Sequence, residues 1–342
     1  MEEMMKTVTI AGGGLAGLSL GIALRNRGVP VVVHEAGSYP RHRVCGEFIS
    51  GVTERTLQEL GIRELLTDAK LHRKTRWYVG DREVCTAGLP EAALGISRHR
   101  LDLRLAEEFR QCGGELREGS RLSLEEVHGV VWAAGRKTDR RSDWLGLKVH
   151  VIDPDAAAEL EMHMGVSGYA GVAPVEDGRV NACGLFRCRT DLKGGGVDLL
   201  VRYLEVNNLQ NLAERIASAD VDEQSLTGVS GLRLGRQEVD PGRCVIGDAE
   251  SIIPPFTGNG MSMAFEAAET AVTPLVDFAA GRCSWEAARE GVGRLLRMRF
   301  RRRLTVATRL HPVFFSELGR KVLGAAARSG LLPISPLIRL LH

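Results

Sequence analysis

The sequence predicts an α/β fold in which a parallel, Rossmann-like sheet is joined to a second, β-rich unit and a helical C-terminal region. Three observations carry this prediction. A strand-like run, Val8 to Ala11, enters the glycine turn Gly12-Gly13-Gly14-Leu15-Ala16-Gly17, and a helical stretch to Arg27 follows. Residues 158–188 alternate apolar and polar, with a turn at Glu176-Asp177-Gly178-Arg179, as antiparallel strands do. Past Gly281 the periodicity is helical to the last residue.

Composition sets the bounds. With 342 residues, 44% hydrophobic and 26% charged, the chain has the make-up of a globular protein with room for two domains, which excludes disordered and collagen-like classes. Its 45 basic and 43 acidic residues leave a net charge of +2, which argues against a nucleic-acid partner. The cysteines at 45, 85, 112, 183, 188, 244 and 283 contain no C-x-x-C pair, so neither a zinc ribbon nor a disulfide framework is indicated, and no metal is expected. The acidic start, Met1-Glu2-Glu3, passes directly into a strand, unlike a signal peptide, and no uncharged apolar run reaches the roughly 18 residues that span a bilayer. These features predict a cytoplasmic protein with at most peripheral membrane contact.

The first thirty-five residues form a strand–turn–helix–strand unit that ends in Val31-Val32-Val33-His34-Glu35. Gly12 permits the tight turn, and Gly14 lets backbone amides approach a pyrophosphate with Leu15 and Ala16 at the helix start. Gly17 with Gly21 allows the helix to pack closely on the sheet. Glu35 is placed to accept hydrogen bonds from ribose hydroxyls. The unit predicts a dinucleotide site but not which dinucleotide.

Further along, Thr53 to Ala69 reads as a helix, Thr75 to Cys85 as a strand, and Ile96 to Cys112 as a helix. Gly129 to Gly135 reads as a buried strand ending in a small-residue turn. Val245-Ile246-Gly247-Asp248 reads as another core strand, and Gly258-Asn259-Gly260 opens a long helix.

The ordered set Gly12-x-Gly14-x-x-Gly17 with Glu35, Arg43-Val44-Cys45-Gly46-Glu47, Arg98-x-x-Leu101-Asp102-x-x-Leu105, Ala133-Ala134-Gly135, Gly247-Asp248 and Pro255-x-x-Gly258-x-Gly260-Met261 resembles the FAD-dependent superfamily of aromatic hydroxylases (class A flavoprotein monooxygenases) and geranylgeranyl reductases. The resemblance extends over nearly the whole chain. It implies a glutathione-reductase-type FAD-binding domain from residues 1–75, 97–150 and 238–280. A β-sheet substrate domain is implied from 76–96 and 151–237, and C-terminal helices from 281–342. It also implies that Asp248 holds the ribityl chain where Gly247 lets it pass. The helix start at Pro255, Gly258, Asn259, Gly260 and Met261 would face the flavin, and Arg98 would reach the FAD phosphate or ribose. Arg43 and Gly135 would lie against the cofactor. Cys45-Gly46 would lie near the flavin ring, with Cys45 either a proton donor or a small packing residue.

Departures from the family pattern bear on function. Ala134-Gly135 stands where hydroxylases usually carry Asp-Gly, and Tyr169-Ala170-Gly171-Val172-Ala173-Pro174 keeps the tyrosine and proline of the reductase element but not its large rings. Gly171 and Ala173 enlarge the pocket, and Met162, Met164, Tyr169, Leu185 and Phe186 supply apolar surface either to it or to an ordinary core. The reading is an oxidoreductase that reduces a C=C bond of a prenyl-like or other apolar small molecule, with Cys45 or Tyr169 supplying the proton and NAD(P)H as transient reductant. Hydroxylation of an aromatic or polyketide-like substrate is one alternative, and a non-catalytic flavin-binding protein is another. Arg297, Arg299, Arg301, Arg302 and Arg303 read either as a solvated helix face or as peripheral attachment to anionic lipid. Oligomeric state and substrate identity stay open.

Overall fold

The computed structural model describes residues 5–123, 125, 128–152 and 159–315. Its elements, in chain order, are β1 (Val8–Ala11), α1 (Leu15–Arg25), β2 (Val31–His34), β3 (Phe48–Ile49), α2 (Glu54–Leu60), β4 (Lys70–Val79), β5 (Arg82–Gly95), α3 (Arg98–Gln111), β6 (Glu115–Arg117) and β7 (Val130–Trp132). There follow β8 (Trp144–Ile152), β9 (Leu160–Met164), β10 (Gly168–Pro174), β11 (Arg179–Arg187), α4 (Gly196–Glu205), α5 (Gln210–Ser218), β12 (Asp220–Ser230), β13 (Gly235–Arg236), β14 (Cys244–Val245), β15 (Ser251–Ile252), α6 (Gly260–Ala279) and α7 (Trp285–Phe315).

Two sheets organise the chain. The smaller is fully parallel in the order β14-β7-β1-β2-β6, with β1 at its centre. Parallel strands in the middle of such a sheet are buried on both faces, which is why β1, β2 and β7 are mainly apolar, broken only by Thr9 and His34. The larger sheet runs β12-β8-β11-β10-β9-β4-β5-β3 and is antiparallel except where β4 meets β9. This is the predicted α/β class, with the β-rich unit built as one eight-stranded sheet.

Local chemistry sets the helix ends. In α3 the Ser97 hydroxyl accepts the Arg100 N–H at 3.1 Å, and Leu101, Leu105, Ala106 and Phe109 bury one face. The predicted helix 53–69 is shorter than expected. Thr53 caps α2, Gly61 stops it in the left-handed region at φ 72°, and after one further turn the chain enters β4. The predicted strand 75–85 is instead the tip of a long hairpin, turning at Gly80-Asp81.

Helix α1 is buried along almost its entire length, between the parallel sheet, α3 and α6. Gly17 packs on the glycine turn, where a Cβ would lie 2.0 Å from the Gly12 carbonyl oxygen. Gly21 has a different role from the one expected. It faces α3 rather than the sheet, with its absent Cβ directed at the Phe109 ring.

The sequence boundaries at 76 and 151 fall inside β4 and β8, because both strands join the larger sheet from their first residues. Of the predicted C-terminal region, α7 is present, and residues 316–342 lie outside the described set. Among the described residues no helix is long and apolar enough to cross a membrane.

Candidate FAD site

A cavity of about 860 Å³ opens where the parallel sheet meets the larger sheet, toward the upper end of the ordinary range for ligand sites. Its wall draws on residues as distant as Ala11 and Ala264. Of the residues singled out in the sequence, Gly12, Gly14, Leu15, Ala16, Glu35, Arg43, Cys45, Gly46 and Arg98 line it from the first third of the chain. Gly135, Tyr169, Gly247, Asp248, Pro255, Gly258, Gly260 and Met261 line it from the rest. Gly17 and Asn259 lie behind the wall, Gly17 in the helix packing and Asn259 fully buried just before α6.

The glycine turn fits an anionic, elongated guest. Gly12 has φ 112°, and a Cβ there would lie 2.3 Å from the Ala133 carbonyl oxygen, so only glycine follows this path. At Gly14 the reverse holds. A Cβ would meet only Arg98 Nη2, at 3.9 Å, so the space above it belongs to the cavity. Helices α1 and α6 both start on the cavity wall, and neither has a side-chain cap bonded to its first turn. Their N–H groups and dipoles are thus available to negatively charged groups.

Glu35 is fixed as a carboxylate. Its Oε2 accepts the Gly13 N–H at 2.8 Å, and its Oε1 accepts the Gly37 N–H at 2.9 Å and bonds Arg41. Burial opposes its ionisation, but the Gly37 bond with Arg41 and Arg43 outweighs burial and holds its pKa below the usual range.

Beside Glu35, Arg98 is gripped by Asp102 through two bonds of 2.7 and 2.8 Å, and Arg43 reaches the same carboxylate at 3.1 Å. Asp102 is fully buried and is the group that aims both arginines. On the same helix Arg100 and Arg104 pair with Asp68, and Arg100 also pairs with Asp177.

Cys45 sits on the wall, its carbonyl accepting the Asn181 amide at 3.0 Å. Burial pushes its thiol pKa up, with Arg98 acting in the opposite direction, so it holds its proton at neutral pH. Tyr169 is buried with its hydroxyl accepting the Phe256 N–H at 3.1 Å, and burial raises its pKa well above the phenol range.

Sequence reasoning missed one cluster. Behind the Arg43–Glu47 loop, Lys148 Nζ lies 3.2 Å from Glu47 Oε1 and 3.1 Å from His42 Nδ1, while His150 Nε2 bonds Glu47 Oε2 at 2.5 Å. Glu47 also accepts the Arg98 N–H at 3.0 Å, and all three of Glu47, Lys148 and His150 are buried. Burial opposes the ionisation of Glu47. His150, Lys148 and the Arg98 N–H overcome that and lower its pKa. The available signal was Lys148 inside the apolar run Trp144 to Val149, where a cation without a fixed partner would not be tolerated.

One pH prediction follows from two histidines. His42 is held down to about pKa 4 by burial and by Lys148, His150 and His99, and His311 to about 4 by burial and Arg187. Both take up protons more readily when unfolded. Their contribution to stability is complete above about pH 6.5 and is lost as pH falls toward 4. The urea midpoint is therefore expected to be lower at pH 5 than at pH 7, and replacing both histidines with glutamine should flatten that difference.

Fold and cavity together define the class, a dinucleotide-binding domain whose glycine turn faces a sheet-walled pocket. Residues 5–140 match the family model described as "FAD binding domain". Over 210 residues the chain is 30% identical to methylenetetrahydrofolate–tRNA-(uracil-5-)-methyltransferase TrmFO of Myxococcus xanthus strain DK1622, an alignment that takes in 58% of this chain and 42% of that protein. The chain thus spans less than half the length of this curated relative. It is similar across its whole length to p-nitrophenol 4-monooxygenase PnpA from Pseudomonas putida DLL-E4, with TM-score 0.75 at 15% identity over 98% of this chain and 99% of that one. It is also similar to a geranylgeranyl bacteriochlorophyll reductase-like protein from Thermoplasma acidophilum, with TM-score 0.73 at 18% identity over 96% of this chain and 92% of that one.

Proposed function

We propose that the chain reduces a C=C bond of an apolar small molecule in the cytoplasm, with NAD(P)H as transient reductant. The observation that supports this reading best is that the protonated thiol of Cys45 lines the same cavity as Met162, Gly171 and Leu185. At Gly171 a Cβ would come no closer than 3.8 Å to any atom, so the space above it is free for a substrate that a bulky residue would exclude. When bound, FAD supplies a two-electron carrier that exchanges hydride with the substrate.

The protein's own groups divide the remaining work. Glu35, the α1 start, Arg43, Arg98 and Asp248 are the groups that would hold the cofactor. Met162 and Leu185 would exclude water from an apolar guest, and Cys45 would give its proton to the carbon opposite the one that receives hydride. Tyr169 is the alternative donor, although its hydroxyl already accepts the Phe256 N–H. Hydroxylation is the second reading, favoured by the whole-length likeness to a protein described as a p-nitrophenol 4-monooxygenase.

The deciding experiment is anaerobic photoreduction of the FAD-loaded protein, followed by mixing with candidate alkenes or with air. Fast reoxidation by an alkene with a saturated product is expected. Substrate-stimulated oxygen consumption with a hydroxylated product would move the assignment to the monooxygenases, and stoichiometric FAD without any substrate-dependent reoxidation would make the chain a flavin-binding protein. Cys45→Ser is expected to keep FAD and slow reoxidation by the true acceptor. Equal rates would remove Cys45 from the proton transfer.

A further inference from the structure

We propose that the outward face of α7 docks on a membrane surface rich in anionic lipid. At 100° per residue, Arg294, Arg297, Arg301, Arg302 and Arg309 fall on one side of this helix, and all five are exposed. The stripe from Arg294 to Arg309 is about 22 Å long at 1.5 Å per residue. Two other arginines of the helix are already engaged, Arg303 with Glu266 at 2.7 Å and Arg299 with Glu269 at 2.7 Å, both on α6. Among the described residues no ion pair engages the five outward arginines, and although Glu290 lies on the same face one turn earlier, residues 294–309 contain no acid, so this stretch of the face carries a net positive charge.

The face is not purely ionic. Met298 lies within the stripe and is 71% exposed, with Leu295 beside it at 38%. An exposed unbranched thioether among guanidinium groups suits the boundary between headgroups and acyl chains, where arginine binds phosphate through paired N–H groups while the apolar side chain enters below. A nucleic acid would meet the same charge but, between Arg294 and Arg309, would find no aromatic ring on this face to stack against. The sequence beyond Phe315 continues the chemistry, with Arg320, Lys321, Arg328 and Arg339 set among leucines and isoleucines and Glu317 as its one acid. This inference stands on the helix face alone and is independent of the reaction proposed above.

Flotation of the full FAD-loaded chain with vesicles tests it. The protein is expected to float with equimolar phosphatidylcholine and phosphatidylglycerol at low salt, to stay behind with phosphatidylcholine alone, and to be released by high salt. The variant carrying Arg294→Gln, Arg297→Gln, Arg301→Gln and Arg302→Gln should keep its FAD and circular dichroism but bind anionic vesicles about 100-fold more weakly. Met298→Glu should weaken binding without removing any cation. Failure of the wild type to float, equal flotation of the four-site variant, or a DNA duplex held as tightly as the vesicles at the same salt would each overturn the assignment.

Discussion

Gly14→Val is expected to yield a folded protein without FAD. The position has no neighbour within 4 Å of a Cβ except the end of Arg98, so the fold has room for the new side chain while the cavity does not. Its backbone is extended, at φ −90° and ψ −168°, a conformation that valine adopts readily. The loss should therefore appear as colourless protein with wild-type circular dichroism and thermal unfolding like that of the FAD-free wild type. Glu35→Ala is expected to do less, weakening FAD by about 1.5 to 3 kcal/mol through loss of charge-assisted hydrogen bonds. If Gly14→Val retained FAD on gel filtration, the glycine turn would not be the cofactor site.

The second large effect is expected at Lys148, whose ammonium has no access to water and stands between Glu47 and His42. Lys148→Met keeps the volume and removes the charge, leaving the Glu47 carboxylate in the interior with only His150 and the Arg98 N–H to support it. Removing one partner of a buried ion pair costs about 3–5 kcal/mol, which a denaturant titration would resolve as a clear fall in midpoint. Adding Glu47→Gln to Lys148→Met should recover part of the loss, since both charges are then gone. The same single variant should weaken FAD, because the Arg43–Glu47 loop carries Arg43, Cys45 and Gly46 to the cavity wall. A Lys148→Met protein as stable as wild type would show that the pair is not what anchors the loop.

The cofactor side of this molecule is legible in the sequence because each constraint there falls on a single residue type at a fixed short spacing. Gly12 must follow a path closed to any side chain, Gly14 must leave space for a guest, and Glu35 ends the next parallel strand. The Lys148–Glu47–His150 cluster is not legible in this way, since Glu47 lies 103 residues from His150 in the chain and their pairing depends on β8 lying next to β11 near the Arg43–Glu47 loop. Sheet membership of β8 is hidden for a related reason. A strand buried on both faces has the same apolar run whichever sheet it joins, so Leu145 to Val149 could not reveal its neighbours. Arg43, Arg98 and Asp102 were found as a motif, but the role of Asp102 in aiming both arginines emerges only from the packing of α3.

The wide spread of the cavity wall also bears on how the chain is made. Its first wall residue is Ala11 and its last Ala264, while β14, which completes the parallel sheet, comes at Cys244. At about 5–20 residues per second of translation, roughly 13 to 50 s separate the emergence of the glycine turn from that of the residues that close over it. During that interval α1, apolar on nearly every side, has no α6 to lie against. The nascent protein must be shielded or kept loosely collapsed until then, and the cofactor cannot template its own domain early, because its cavity is incomplete until Ala264 has emerged.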